Sequence, residues 1–265
     1  MIARMSPPER RRALVDQDLT LGNAREDVAL GPLLLRHGLG GAAEIVRVYV
    51  PEPTAAFSRR DSRQPGFRRA VRAAQEVGFT PVLRGPGGRL AAYHRGSIVI
   101  DHVTRLPNAP DGMIERFETY ARLHARVLGR LGLDARIGEL DGEYCPGSHT
   151  VNAAGVVKIV GSAQRITRDG WLFSSVIQVS GSSAIREVLR ETHRALGYRL
   201  EPSTVGAVED FVPQLTIEAV TRAFRRAYDD GAADAWVARP AGTVLAEARE
   251  AAELLRVERG TAPTA

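Results

Sequence analysis

The chain has 265 residues, of which 44% are hydrophobic and 25% charged, proportions that are ordinary for a globular protein with a sizeable core. A net charge of +5 permits an acidic partner, but aromatic residues are only 6% of the chain and the arginines are scattered, which is not typical of a base-stacking nucleic-acid surface. A single cysteine excludes an internal disulfide, and neither a secretory signal nor an apolar run of about eighteen residues is present. We therefore expect a cytoplasmic protein.

The first part of the chain predicts short strands alternating with helices. Residues 1–20 are basic and contain prolines, so we expect a loose lead-in. Hydrophobic periodicity and turn residues then predict, in chain order, a helix over 23–37 interrupted by Pro32, a strand over 44–50, an extended segment over 54–61, a helix over 66–78, a strand over 79–83, and two strands over 90–94 and 97–103 that form a hairpin.

The second part of the chain predicts a longer helix, a run of strands and a helical end. The predicted elements are a helix over 111–132, a strand over 135–137, β-like stretches over 148–153, 156–166 and 171–179, a helix over 183–196, and mostly helical structure from Thr216 with breaks at 229–231 and Pro240. Strands in antiparallel pairs beside helices indicate an α+β fold with mixed, mostly antiparallel sheets flanked by helices. We divide the chain into the lead-in, a domain over 21–206 and a helical C-terminal extension over 207–265.

Two residue types occur once each and stand close together. Cys145 is the only cysteine, and Lys158 is the only lysine among 36 lysine and arginine residues. Because lysine is a compact point charge and arginine a planar fork, a single lysine in an arginine-rich chain indicates a position where a guanidinium would not serve. A nearby ammonium favours the thiolate, which is the nucleophilic form of cysteine. We therefore predict that Cys145 and Lys158 form a catalytic pair.

Both residues also admit structural interpretations. A free cysteine is commonly a small buried hydrophobe, although Cys145 is flanked by Glu143-Tyr144 and by Pro146-Gly147-Ser148, which have the composition of a loop. Lys158 lies in an apolar strand, where a lysine can protect a sheet edge from aggregation. Gly161, which follows it, instead allows a ligand to approach the strand closely. The residues alone leave these alternatives open.

A glycine loop, Arg84-Gly85-Pro86-Gly87-Gly88, lies between two predicted strands. Phosphate-binding loops lead from a strand into a helix and have a different glycine spacing, so neither a P-loop nor a dinucleotide fingerprint is indicated. The loop is either a tight connection or a floor on which a ligand chain lies against bare backbone. His94 ends the next strand and His149 stands near Cys145; no pair of histidines or carboxylates has the spacing typical of metal ligands.

Three segments together resemble the superfamily of lipoate–protein ligases, biotin–protein ligases and octanoyltransferases. Residues 84–94 (RGPGGRLAAYH) are similar to its arginine, paired-glycine and terminal-histidine loop, and residues 158–165 (KIVGSAQR) to its lysine–x–x–glycine–x–x–glutamine–arginine strand. Residues 144–148 (YCPGS) are closest to the cysteine-dependent branch, which includes the amidotransferases that move an octanoyl group from the glycine-cleavage H protein onto lipoyl domains. The similarity runs from about Leu19 to Gly206. Two glycines stand where the ATP-using ligases usually have three, a departure that favours the transferases.

The resemblance implies that residues 21–206 are the catalytic domain of an acyltransferase of lipoate metabolism. Cys145 would attack the acyl carbonyl carried by acyl carrier protein or the glycine-cleavage H protein, and Lys158 would activate the thiolate and stabilise the oxyanion. A lysine of a lipoyl domain would then take the octanoyl or lipoyl group as an amide, and the glycine loop would wall an apolar tunnel for the chain. The resemblance assigns substrate binding to Arg84, Gly87, Gly88, Tyr93, His94, His149, Gly161, Ser162 and Ala163.

Two other functions fit the same resemblance. An ATP-dependent lipoate–protein ligase would use Lys158 to bind an acyl-adenylate and would need ATP and magnesium, whereas the transferase needs no cofactor or metal. A non-catalytic member would bind lipoylated or acylated proteins and would form no covalent adduct at Cys145. In each case the partners are proteins, not nucleic acid or a membrane.

Overall fold

The computed structural model describes residues 11–16, 19, 21–106, 112–230 and 235–257. The helices within these ranges are α1 (Ala24–His37), α2 (Phe67–Glu76), α3 (Met113–Arg130), α4 (Ser182–Leu196), α5 (Ile217–Asp229) and α6 (Gly242–Leu254). The strands are β1 (Arg12–Val15), β2 (Glu44–Tyr49), β3 (Thr54–Phe57), β4 (Thr80–Leu83), β5 (Ala91–Tyr93), β6 (Ser97–Thr104), β7 (Ala135–Ile137), β8 (Val151–Ala153), β9 (Val157–Thr167), β10 (Gly170–Gln178) and β11 (Ala235–Ala238). None of the described helices is long and apolar enough to cross a membrane.

The strands form two sheets. The large sheet has the order β11-β1-β2-β6-β10-β9-β8-β7, and the small sheet has the order β4-β3-β5. In the large sheet only the pairs β11–β1 and β1–β2 are parallel; the five pairs from β2 to β7 are antiparallel. The predicted α+β class with mostly antiparallel sheets is therefore confirmed.

Helices cover both faces of the large sheet. Ile45 and Val46 are neighbours on β2 but belong to different hydrophobic clusters, because successive side chains of a strand point to opposite faces. The cluster that contains Val46 includes residues of α3 and α5, and the cluster that contains Ile45 includes residues of α1 and α6. A third cluster joins α2 and α4 to the small sheet and to Tyr144.

The start of α1 is set by a capping residue, and the helix contains a proline. The side chain of Asn23 accepts a hydrogen bond from the backbone N–H of Arg25, which satisfies one of the donors left open at a helix start. Pro32 lies inside the helix and does not end it, so the predicted interruption does not occur. Pro32 and Val28, one turn apart, both line the large cavity described below.

The predicted hairpin over 90–103 is wrong. A tight turn does join its two strands, with the Ser97 N–H donating to the His94 carbonyl at 2.7 Å. However, β5 pairs with β3 in the small sheet, whereas β6 pairs with β2 and β10 in the large one. Every residue of β6 is buried, as expected for a central strand, and both of its edges are taken by partners from elsewhere in the chain.

The prediction of a loose segment over 1–20 is wrong for Arg12–Val15, and the C-terminal segment predicted to be mostly helical also contains the strand Ala235–Ala238. These two strands pair in parallel with each other, and β1 also pairs with β2. Each has only four residues, too few for a periodic pattern, and each is stabilised by a partner distant in sequence. Residues 1–10, the start of the predicted 111–132 helix and the predicted break at Gly231 lie outside the described residues.

Candidate active site

A cavity of about 480 Å³ lies between the large sheet, α1, the first turn of α3 and the glycine loop. Cys145 and Lys158 both line it. The residues predicted to bind substrate line it as well, with the exception of His94: Arg84, Gly87, Gly88, Tyr93, His149, Gly161, Ser162 and Ala163. Three segments that are separate in the sequence are thus brought to one cavity.

Cys145 lies half-buried in a loop with an unusual backbone conformation. Its φ angle is 44°, in the left-handed region that residues with a side chain rarely adopt. The backbone N–H of Arg89 donates a hydrogen bond to the Cys145 Sγ atom at 3.2 Å. The direct support of the sulfur therefore comes from the glycine loop.

Glu143, which is buried, organises the loop that carries Cys145. Its Oε1 accepts hydrogen bonds from the Gly147 N–H at 3.1 Å, from the Thr150 hydroxyl at 2.6 Å and from Lys158 Nζ at 3.1 Å. Its Oε2 accepts from the Leu140 N–H at 3.3 Å. One carboxylate thus ties together both ends of the segment that contains the cysteine. Glu143 was not among the predicted site residues, although a buried lysine requires an opposite charge and Glu143 is two residues from Cys145.

Lys158 is only 2% exposed and holds the same loop from the side of β9. Besides Glu143, its Nζ donates to the carbonyl oxygen of Tyr144 at 3.0 Å and to that of Cys145 at 2.9 Å. These three bonds use the three N–H groups of the ammonium. Within the described part of the chain no hydrogen bond joins Lys158 Nζ to Cys145 Sγ. Lys158 therefore contacts Cys145 through the backbone carbonyl of the cysteine. A Cβ on Gly161 would lie 3.1 Å from Cε of Lys158, so the glycine gives this side chain room.

The glycine loop is fixed by hydrogen bonds to backbone carbonyls. Arg84 Nη2 donates to the carbonyls of Gly87 and Arg89, both at 2.8 Å. The Gly87 N–H donates to the carbonyl of Gln164, on β9, at 3.4 Å. The glycine loop and the lysine strand, recognised separately in the sequence, are therefore one connected structure.

The two histidines differ in position. His149 stacks on Phe117 of α3, with ring centroids 5.8 Å apart, at the wall of the cavity. His94 lies away from the cavity lining. Its Nε2 donates to the Gly181 carbonyl at 3.1 Å and its Nδ1 accepts from the Gly96 N–H at 2.7 Å. His94 therefore holds the turn before β6.

Gly88→Ala is expected to disturb the cysteine, whereas Gly87→Ala is not. Gly88 has a φ of 96°, and a Cβ at this position would lie 2.9 Å from Cys145 Sγ; a Cβ on Gly87 would have no atom within 4 Å. We expect the alkylation rate of Cys145 by iodoacetamide to change at least about threefold in Gly88→Ala, because strain of this kind costs on the order of 1 kcal/mol. Equal alkylation rates in the two variants would contradict the close packing of Gly88 on the sulfur.

The rest of the cavity lining is mainly apolar and comes from residues to which sequence analysis gave no ligand role. Its apolar residues include Val28, Met113, Ile114, Phe117, Val99 and Val176. Such a surface suits a hydrocarbon chain. The polar side chains of Tyr49, Asp101 and Ser174 are also among the lining residues.

The protein-family model named lipoyl protein ligase A/B catalytic domain matches residues 23–229 of the sequence. The chain therefore belongs to this family. It is 29% identical over 176 residues to the octanoyl-GcvH:protein N-octanoyltransferase of Geobacillus kaustophilus, which covers 66% of this chain and 62% of that protein. It is 28% identical over 205 residues to the protein of that name from Exiguobacterium sibiricum, covering 72% and 73%. The family match confirms the predicted resemblance, and the chain is similar to proteins named for its transferase branch.

Solved structures share the fold. The structure of a lipoate-protein ligase A bound with ATP superposes on this chain with a TM-score of 0.73 at 21% identity, covering 92% of this chain and 94% of that one. At this level of identity the similarity establishes the common architecture only. The chain spans 62% of the length of the Geobacillus relative.

Proposed function

We propose that the protein is an acyltransferase that moves an octanoyl or lipoyl group from a carrier protein to a lysine of a lipoyl domain through a thioester at Cys145. The observation that carries this proposal is the geometry at the sulfur: the Cys145 Sγ atom lines an apolar cavity and accepts the Arg89 N–H. The names of the relatives, octanoyl-GcvH:protein N-octanoyltransferases, support the transfer of an octanoyl group from a carrier of the GcvH type.

The reaction exchanges one acyl bond for another in two steps. The sulfur of Cys145 attacks the carbonyl carbon of the carrier-bound acyl group, the bond from that carbon to the carrier breaks, and the released carrier atom takes the proton of the thiol. The amine of the acceptor lysine then attacks the thioester, the carbon–sulfur bond breaks, and the thiolate recovers a proton from the amine. The exchange consumes no ATP, so we propose that no cofactor is needed.

Lys158 acts in this proposal as a positioning residue. Since its ammonium already donates to Glu143 and to the carbonyls of Tyr144 and Cys145, binding an oxyanion directly would require breaking one of these bonds. Lys158 and Glu143 instead hold Cys145 in its left-handed conformation, with Sγ against the Arg89 N–H. Such preorganisation lowers the cost of reaching the attacking geometry.

The surroundings of the site suit protein substrates and a reduced thiol. A net charge of +5 favours association with acidic carrier surfaces, since complementary charge accelerates encounter. A nucleophilic cysteine must stay reduced, which supports a cytoplasmic location.

Intact mass spectrometry tests the proposal. Mixing the protein with an octanoylated H protein, without ATP, is expected to add the mass of one octanoyl group to Cys145, and hydroxylamine is expected to remove it because thioesters are cleaved by this nucleophile. An apo lipoyl domain added afterwards should gain the same mass. An octanoylated lipoyl domain that forms only with ATP, and with release of AMP, would instead establish a ligase. The absence of any adduct with any donor would indicate a non-catalytic binder.

A further inference from the structure

The floor of the cavity carries a polar row at some distance from the cysteine. Across four strands the large sheet aligns Arg47 on β2 with Asp101 on β6, Ser174 on β10 and Ala163 on β9. Asp101 and Ala163 are two strands apart, which is about 10 Å. Cys145 is held by Lys158 of β9, whereas Asp101 lies on β6 beneath α1, and both residues line the cavity. A Cβ on Gly31 of α1 would lie 3.1 Å from Asp101 Oδ2.

Asp101 is a buried carboxyl group that is only partly satisfied by the protein. It is 5% exposed, and its Oδ1 accepts a hydrogen bond from the Ser174 hydroxyl at 2.7 Å. Among the described residues no hydrogen bond reaches Oδ2. The nearby cation, Arg47, is ion-paired with Asp27 and also donates to the Asp27 carbonyl at 2.9 Å. Burial raises the pKa of Asp101 above its usual range, and the charge of Arg47 opposes this shift.

Two tyrosine hydroxyls in the cavity also have no hydrogen-bond partner among the described residues. Tyr49 and Tyr93 line the cavity and pack together with Val99 and Val176. Tyr49 of β2 pairs with Val99 of β6, which lies two residues before Asp101 on the same face of that strand. Within the described ranges neither hydroxyl takes part in a hydrogen bond. Burial raises the pKa of both tyrosines, so both hydroxyls keep their protons and can donate. Tyr93 is only 6% exposed.

We propose that this polar end is a specificity subsite for an acyl chain that carries a hydroxyl group near its far end. The inference rests on the proposed function in one respect, namely that the acyl chain occupies this cavity with its carbonyl at Cys145. It goes beyond the proposed function because an octanoyl group has only a methyl at that end.

The argument is one of hydrogen-bond complementarity. A hydrocarbon end would cover Asp101 Oδ2 and the hydroxyls of Tyr49 and Tyr93 and leave them without partners, and buried polar groups without partners are costly. A hydroxyl both donates and accepts, so it can donate to the carboxyl oxygen and accept from a tyrosine. An ammonium would only donate, and a disulfide sulfur would only accept weakly. Sites built to bind a hydroxyl discriminate strongly against the analogue that lacks it.

Binding of free acids tests the subsite without requiring any acyl transfer. Octanoate, 6-hydroxyoctanoate, 8-hydroxyoctanoate and lipoate are titrated into the full-length protein by isothermal calorimetry. The shared carboxylate cancels in the comparison, so the ratio of dissociation constants reports the far end of the chain. We expect at least one hydroxy acid to bind about tenfold more tightly than octanoate. Octanoate binding as tightly as both hydroxy acids would overturn the proposal, and so would a preference for lipoate over both of them.

Two conservative variants and a control locate the effect. Tyr49→Phe and Tyr93→Phe each remove one hydroxyl and keep the ring, and we expect at least one of them to reduce the preference about three- to tenfold. Tyr198→Phe removes a hydroxyl that donates to Asp61 outside the cavity lining and should leave the preference unchanged. A preference unaffected by both cavity variants would overturn the assignment. If the hydroxy acid is preferred but Cys145 is never acylated, the subsite stands and the proposed function fails.

Discussion

Replacing Cys145 with serine is expected to lower octanoyl transfer at least about a thousandfold, because removal of a nucleophile that acts together with its surroundings abolishes most of the catalysis. A serine hydroxyl is almost completely protonated near neutral pH. Among the described residues, the hydrogen-bond partner of the Cys145 sulfur is the Arg89 N–H, a donor that cannot take a proton from serine. The rate is measured as octanoylated lipoyl domain formed from octanoylated H protein. The serine side chain is close in shape to cysteine, so the effect should not arise from unfolding.

The thermal midpoint of Cys145→Ser serves as the control for folding. We expect it to lie within a few degrees of that of the unchanged protein, since a half-buried thiol contributes little packing. A variant that is folded and still transfers octanoyl within tenfold of the unchanged rate would contradict a thioester at Cys145.

Lys158→Met is expected to destabilise the protein by about 3–5 kcal/mol, because it leaves the buried carboxylate of Glu143 without its cation. The pair is deeply buried, with side-chain exposures of 2% for Lys158 and 0% for Glu143. The variant should also lose transfer activity, because the carbonyls of Tyr144 and Cys145 lose their donor and the loop is no longer held. The stability loss is measured as the free energy of unfolding in urea.

A double-mutant cycle separates the charge effect from the loss of packing. Adding Glu143→Gln to Lys158→Met removes the unpaired charge, so the double variant should be less destabilised than the sum of the two single variants. Recovered stability without recovered transfer would show that the ammonium also positions Cys145. Single variants whose destabilisations simply add would contradict a coupled Lys158–Glu143 pair.

Local patterns predicted most elements of the fold but not the pairing of the strands. The helix over 183–196 lies within one residue of α4, because apolar periodicity and Gly197 define it, and the strand over 135–137 coincides with β7. The pairing of β5 and β6 with different sheets was not predictable in this way. The choice of partner depends on which strands distant in sequence fill the edges of a central strand such as β6.

The sequence likewise identified residues of the candidate site but not the contacts between them. The single cysteine and the single lysine identified two residues that line one cavity. The predicted contact between their side chains did not appear, because the direction of Lys158 is set by Glu143 and two carbonyls, which sequence spacing does not reveal. Asp101 occurs in the run SIVIDHVT, where a polar residue in a strand is ordinary. Only the register with Ser174 and the burial under α1 show it to be unusual.

A single-turnover chase tests the thioester at Cys145 most directly. The octanoylated protein is isolated from excess donor, mixed with apo lipoyl domain, and quenched at intervals for mass spectrometry of both proteins. We expect the octanoyl group to leave Cys145 and to appear on the lipoyl domain at one common rate, at least as fast as steady-state turnover. An adduct that persists while unmodified protein continues to transfer octanoyl from fresh donor would contradict the mechanism.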